Sequence, residues 1–274
     1  PEKRYYELAE KGLGKLQVAI FLSLLVVLIS AGSTVMYALG MVQENRMRLM
    51  VFGQLLTVLI SALLGSFQLI EGVADLLKGR FSLNALLVFS FVFCCMDAVL
   101  CLQELRVPCC AAFSLEMTMS LWNAYQRRNT EMGQMDTLRK ANRLDGIVKV
   151  PDYFGSRAGI LRTEGRVEDF MDNYAKRTGP EKALNIYALL SFLLCIGIAV
   201  LAGVRHDMSL AIQVFSTSML VAVPASAFVS QSRPAAILQR RLHMVGTVLC
   251  GWESVKDLCG KAVFPLRDVD LFPQ

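Results

Sequence analysis

The sequence predicts an all-α polytopic membrane protein, a six-helix transmembrane bundle with a small mixed α/β cytoplasmic insert. The 274 residues are 54% hydrophobic and only 19% charged, whereas soluble domains are about 25% charged. The apolar residues gather in blocks of roughly 20, the length with which a helix crosses the hydrocarbon core of a bilayer. These blocks lack the strict alternation of polar and apolar residues that is typical of transmembrane β-strands.

Six blocks are long and apolar enough, or nearly so, to span a bilayer. They cover residues 16–39, 50–70, 83–102, 107–125, 186–204 and 208–229. The first is too long, and too polar at both flanks, for a cleaved signal peptide. The fourth is the least apolar, because Glu116 lies in its middle and Pro108 lies near its start.

The positive charges predict that both ends of the chain are cytoplasmic. Cytoplasmic loops of membrane proteins carry an excess of Lys and Arg. All but four of the 28 Lys and Arg residues then fall inside, and the outward-facing ones are Arg46, Arg48, Arg106 and Arg205. This bias also accounts for the net charge of +5. We therefore expect the lipid bilayer, and no nucleic acid, as a partner.

The spacing of the blocks divides the chain into four regions. Residues 1–125 hold a cytoplasmic N-terminal segment and the first four helices, and residues 126–185 form a polar cytoplasmic loop. Residues 186–229 hold the last two helices, and residues 230–274 form a cytoplasmic tail. The sequence of the loop predicts three elements: a helical continuation of the fourth block, a small β-rich patch from GIVKV to AGILRTEGRV, and a short helix in VEDFMDNYAKR.

Two acidic side chains lie inside predicted spans, Asp97 in the third and Glu116 in the fourth. Ionisable groups are costly in a membrane, and by default they mark a pathway or a buried pair. The short connector QELR predicts that these two helices pack together. We expect either an ion pathway through Asp97 and Glu116, completed by nearby cysteines, or two neutral carboxyls that are hydrogen-bonded to neighbouring helices.

No metal site is predicted. The candidate thiols come as adjacent pairs at positions 94–95 and 109–110, and adjacent residues of a helix point about 100° apart. Each pair therefore suits packing better than the binding of one ion. The two histidines, His206 and His243, are separated by the length of a membrane span.

The stretch VAVPASAFVSQSRPAAIL places Pro224 inside the sixth block. Proline lacks the backbone N–H and clashes with the preceding turn, and in lipid the carbonyls that it frees must be satisfied by protein, water or an ion. Transporters use such broken helices near mid-membrane to coordinate ions. Val223, Pro224 and Ala225 are therefore candidate ion-pathway residues, with an ordinary proline kink as the alternative.

The order of the spans and three short stretches resemble heavy-metal P-type ATPases. In that family six spans precede the phosphorylation motif, the actuator domain lies between the fourth and fifth, and a Cys-Pro-Cys sequence unwinds the sixth. Here RPAAIL is similar to the family's TPxAIL, and Pro224 occupies the position of the motif proline, with Val223 and Ala225 in place of the cysteines. GRFSLNALLVF is similar to the turn ahead of the third span, and CGKAVFPLRDVDLFP places Asp268 near the family's DKTGT aspartate.

The resemblance implies that Asp268 is the phosphate acceptor of a pump, that residues 230–274 lead into a phosphorylation-like domain, and that a nucleotide-binding domain follows. Several motif residues differ. VDL at 269–271 replaces Lys-Thr-Gly, and the Val-Pro-Ala stretch offers no soft thiolate ligands. Loop 126–185 resembles a truncated actuator with Thr-Glu-Gly where the family has Thr-Gly-Glu.

These departures predict a degenerate P-type ATPase-like protein, a pseudoenzyme with a scaffold or regulatory role in a bacterial plasma membrane. One alternative is an active transporter of an unidentified cation, for which ATP and Mg would be the cofactors and Asp268 the catalytic residue. A second alternative is an unrelated polytopic membrane transporter.

Overall fold

A computed structural model of the chain describes residues 2–43, 46–104, 106–108, 110–164, 170–175, 179–223, 225–249, 251, 253–259, 263 and 265. This part of the chain is mostly helical. Its elements are α1 (Glu2–Lys11), α2 (Leu13–Ala38), α3 (Met47–Leu64), α4 (Ser66–Leu77), α5 (Leu83–Glu104), α6 (Cys110–Lys140), β1 (Asp145–Phe154), β2 (Arg157–Glu164), α7 (Phe170–Ala175), α8 (Gly179–Arg205), α9 (Met208–Ala222), α10 (Ala225–His243) and α11 (Glu253–Leu258).

Five helical stretches of the described residues are long and apolar enough to cross a membrane. They are Glu2–Ala38, Met47–Leu64, Leu83–Gln103, Gly179–Arg205 and Met208–His243. They coincide with five of the six predicted blocks, which indicates an integral membrane protein of mostly helical structure. The count of six spans is not confirmed, because α6, which contains the fourth block, is not among the stretches that qualify. Glu116 and several hydroxyl side chains make the first half of α6 too polar, and its second half is rich in charged residues.

The first half of α6 is largely buried although it is less apolar than the other predicted spans. Phe113, Met117 and Leu121 have no exposed surface. Hydroxyl groups of two neighbouring helices contact α6. Ser23 Oγ of α2 lies 2.6 Å from Thr118 Oγ1, and Ser61 Oγ of α3 donates to Ser114 Oγ at 3.0 Å. Leu115 and Trp122 are exposed on this segment, whereas its polar side chains face neighbouring helices, as polar residues within membrane bundles usually do.

Residues Lys11–Asn129 and Pro180–Ala236 form one compact unit. Helix α5 packs against α3, α4 and α9. Aromatic rings fill the contact with α9, where the centroids of Phe93 and Phe215 lie 4.2 Å apart. The fully buried members of the apolar cluster are Val58, Leu86, Leu87, Cys110, Phe113, Met117, Ala188, Met219, Val223, Phe228 and Ala98.

Gly72 permits the close approach of α4 to α5. A Cβ at this position would lie 2.3 Å from the backbone oxygen of Asn84 and 2.9 Å from a methyl group of Val88. Real Cβ contacts are essentially never shorter than 3.0 Å. Only glycine therefore lets the two backbones meet at this distance, and α5 is held in its place by this contact.

The second unit comprises Pro1–Glu10, Thr130–Gly179 and Ile237–Gln274. Within it, β1 and β2 pair as an antiparallel hairpin whose register shifts between Val150 and Phe154. Val263 adds a parallel bridge to β2, since Ile160 N donates to Val263 O at 3.0 Å. The predicted β-rich patch in the loop is thus a small two-stranded sheet. The predicted helical continuation of the fourth block reaches Lys140, and α7 covers part of the predicted short helix.

Candidate functional site

One face of α5 is polar although it is buried. Ser90, Cys94 and Asp97 are spaced four and three residues apart, which places them on the same side of a helix. Their exposed fractions are 1%, 2% and 3%. A transmembrane helix that buries three polar side chains on one face directs that face toward protein or toward water inside the protein.

A matching face lies on α6. Glu116, Ser120 and Asn123 have the same four-and-three spacing, and their exposed fractions are 2%, 1% and 6%. The two faces meet, since Ser90 Oγ donates to Glu116 Oε2 at 3.1 Å. Further along, the sulfur atoms of Cys94 and Cys110 lie 3.6 Å apart. We call Ser90, Cys94 and Asp97 of α5 with Glu116, Ser120 and Asn123 of α6 the polar row.

Asp97, at one end of the polar row, is paired with a cation. The Arg106 guanidinium donates to both Asp97 oxygens, the longer contact being 3.4 Å from Nη1 to Oδ2. Arg106 lies just beyond α5 and keeps 20% of its side-chain surface exposed. The charge of the buried Asp97 carboxylate is therefore compensated at the point where the row nears the end of the helix.

Glu116, in the middle of the row, is only half satisfied. Its Oε2 accepts from Ser90, but its Oε1 is buried and has no hydrogen-bond partner among the residues that the structure describes. The same holds, within that part of the chain, for Ser120 Oγ, Asn123 Oδ1 and Ser232 Oγ. A buried polar atom without a partner costs about 1–3 kcal/mol, and in native proteins it usually points to a water molecule or an ion.

Helix α10 joins the row at its other end. Asn123 Nδ2 donates to Gln231 Oε1 at 2.9 Å, and Ser232 is the next residue of α10. Ala227 and Phe228, at the start of α10, belong to the buried apolar cluster that also includes Met117 of α6. Gln231 is therefore the group of α10 that meets the row.

The helical course is interrupted where the sequence predicts a break. Helix α9 ends at Ala222 and α10 begins at Ala225. Between them Val223 is fully buried and has a non-helical ψ of 73°. The carbonyl of Ala222, the last residue of α9, accepts from Tyr187 Oη at 2.9 Å. A hydroxyl of α8 therefore satisfies this carbonyl.

Some of the predicted site residues are brought together and others are not described. Asp97 and Glu116 lie on facing sides of α5 and α6, as expected, but they bind different partners. Pro224, Cys109 and Asp268, with the motif around it, lie outside the described residues. Within the described ranges no group of three or more His, Cys, Asp and Glu side chains could hold a metal ion.

Three members of the row were not identified from the sequence, namely Ser90, Ser120 and Asn123. Small polar residues are common in membrane helices, so none of them stands out alone. The four-and-three spacing from Glu116 to Asn123, repeated from Ser90 to Asp97, is the signal that could have identified them.

Comparison with known proteins gives no further assignment. No protein-family model matches the chain, and no curated protein or solved structure matches it.

Proposed function

We propose that the chain is an integral membrane protein that conducts a small cation along the polar row, in a bundle whose layout is that of a P-type ATPase membrane unit. In this proposal α6 is the fourth crossing and brings the number of crossings to six, both ends are cytoplasmic and the membrane is a bacterial plasma membrane. The observation that carries the proposal is the buried Glu116 carboxyl with one unpartnered oxygen, aligned on α6 with two more unpartnered oxygens, those of Ser120 and Asn123.

A second polar cluster of the same bundle supports the functional reading of the first. Gln54 of α3 is 1% exposed, and its amide exchanges hydrogen bonds with Ser30 at 2.6 and 2.9 Å and also contacts Ser33 and Thr34 of α2. This cluster is neutral and satisfied by protein alone, as expected of polar residues that only join helices. The polar row contains a carboxyl group and lacks such satisfaction, which favours a role with water or an ion.

The source of energy is the second part of the proposal. A phosphorylated Asp268 would make the protein an ATP-driven transporter, with ATP and Mg as cofactors and a nucleotide-binding domain further along. One observation favours the alternative, a degenerate pump with a scaffold or regulatory role: Thr163, at the actuator-like motif, lies in β2 and its hydroxyl contacts Gly146 O at 3.3 Å within the hairpin. In this contact Thr163 has a structural role within the hairpin.

Cation conduction is tested in vesicles that contain the purified protein. Gradients of H⁺, Na⁺, K⁺ and Mg²⁺ are imposed one at a time, and the entry of each is followed with a selective dye. We expect one of them to enter faster than in protein-free vesicles, and Glu116→Gln to abolish the difference. The matched control is Ser30→Ala, which alters the satisfied cluster and should leave conduction unchanged. Equal entry with and without protein for all four cations would refute the proposal.

The energy source has its own test. Incubation of the full-length protein with labelled ATP should give an acid-stable, hydroxylamine-sensitive phosphoprotein if Asp268 accepts phosphate, and Asp268→Asn should abolish the label. Lack of labelling in the presence of cation conduction would favour the degenerate form.

A further inference from the structure

We infer that the cation carried by the polar row is a proton, which moves along a file of water molecules and is held on the way by Glu116. This inference rests on the proposed conduction. It follows from the length of the row, the number of its carboxyl groups and the chemistry of its middle section.

The unpartnered oxygens are too far apart to bind a single ion together. Glu116 and Asn123 are seven residues apart on α6, which corresponds to about 10 Å along the helix axis. Ligand oxygens lie about 2.3–2.6 Å from a calcium ion and closer to a magnesium ion, so opposite ligands are separated by roughly 5 Å at most. Hydrogen-bonded water molecules are spaced about 2.8 Å apart, and a short file of them would give each oxygen a partner.

The charge of the row suits one proton. Hard divalent cations are bound by several carboxylates and carbonyls. Glu116 is the one carboxyl on the described part of the row that has no positively charged partner, since Asp97 is paired with Arg106. The remaining groups are two hydroxyls, a thiol and an amide, and hydroxyls both donate and accept hydrogen bonds and rotate freely. A chain of such groups and water can pass a proton in either direction.

The thiols make passage of a metal ion unfavourable. Between Ser90 and Asp97 the row consists of Cys94, and Cys110 of α6 lies against it; the two residues are 2% and 0% exposed. Hard cations such as Na⁺ and Mg²⁺ prefer oxygen ligands to sulfur. A proton does not need a coordination shell, and a thiol can still donate and accept weak hydrogen bonds.

The polar row extends over much of the thickness of a membrane. The pairs Ser90–Glu116 and Cys94–Cys110 show that α5 and α6 are antiparallel. The row therefore continues from Asp97 through Glu116 to Asn123 in one direction, over about 20 Å of helix axis, or two-thirds of a hydrocarbon core of about 30 Å.

Glu116 holds the proton during its passage along the row. The Glu116 carboxylate takes a proton from a hydronium ion, which becomes water, and then gives the proton to the next water molecule, which restores the carboxylate.

The test is the reversal potential of the current in a planar bilayer that holds the full chain. With equal Na⁺ and K⁺ on both sides and a pH gradient across the membrane, the current should reverse at the proton equilibrium potential. Glu116→Gln should abolish the current, Glu116→Asp should keep part of it, and Asn123→Leu should reduce it. Ser30→Ala should leave it unchanged.

The outcomes separate the two claims. A current that reverses at zero voltage, where equal Na⁺ and K⁺ place the equilibrium potentials of these ions, and that Glu116→Gln abolishes, would overturn the proton and leave the proposed function standing. No current for any cation would overturn both. If Glu116→Gln does not fold, as judged by its circular dichroism, Ser120→Ala replaces it. That variant removes one oxygen of the row and should lower the proton current, and an unchanged current would contradict the inference.

Discussion

Replacement of Gly72 by alanine should separate α4 from α5. The new Cβ would lie 2.3 Å from Asn84 O, and an ordinary contact begins at 3.4 Å, so the helices must move apart by about 1 Å. The obstructing atom belongs to the backbone of α5 and cannot rotate away. Overpacking of this kind costs about 1–3 kcal/mol. Because α5 carries Ser90, the displacement should also weaken the contact with Glu116 and reduce conduction.

Gly53 provides the matched control. It lies in the middle of α3, and a Cβ there would meet nothing within 4 Å. Gly53→Ala should therefore be neutral or stabilising by about 0.5–1 kcal/mol, since alanine restricts the unfolded backbone and favours the helix. The assay is unfolding in mixed micelles by increasing amounts of SDS, followed by circular dichroism. The two variants should differ by about 1–4 kcal/mol in the free energy of unfolding. Equal stability of the two variants would refute the close packing of α4 on α5.

Three further predictions concern polar contacts. Asp97→Asn should lower the free energy of unfolding in the same assay by about 3 kcal/mol. This is the lower end of the range for a broken buried ion pair, because Arg106 is partly exposed. A second substitution that removes the Arg106 charge should restore part of the lost stability. Tyr187→Phe should cost about 1 kcal/mol, since it removes the hydrogen bond to the last carbonyl of α9, and a variant as stable as the wild type would contradict that bond. Hydrogen bonds from Arg162 lower the pKa of Asp145 in the folded protein. The ionised carboxylate therefore stabilises the hairpin at pH values above the unfolded pKa of about 3.9. This stabilisation is lost as the pH falls through the lower pKa of the folded state. Amide exchange of the hairpin, corrected for its intrinsic rate, should rise over that range in the wild type, and an equal rise in Asp145→Asn would contradict the prediction.

The sequence is most informative where composition alone decides the structure. Blocks of apolar residues predict spans because an unpaired backbone is not tolerated in lipid, and five of these blocks are helices of sufficient length. The same reasoning gives less information on α6. The side of a helix that packs against other helices does not need to be apolar. Hydroxyl groups on that side of α6, such as those of Ser114 and Thr118, lower the hydropathy of the helix without preventing their burial.

The candidate site is predictable only in part, for a related reason. The intramembrane carboxyls are visible as letters in the sequence, and proline indicates where a helix can break. The partners of these groups depend on which helix faces lie together. Asp97 binds Arg106 across a short connection, whereas the serine that binds Glu116 lies 26 positions away. Such contacts follow from the packing of α5 on α6, which hydrophobic periodicity does not specify.

The most direct measurement is the access of water to Glu116. Hydroxyl radicals generated by brief X-ray exposure oxidise side chains that lie next to water, and the oxidised peptides are identified by mass spectrometry. If water fills the polar row, the buried part of α6 around Glu116 should be oxidised, whereas the buried surroundings of Gln54 should not. Protection of both regions to the same degree would show that the row is dry, and would contradict the pathway.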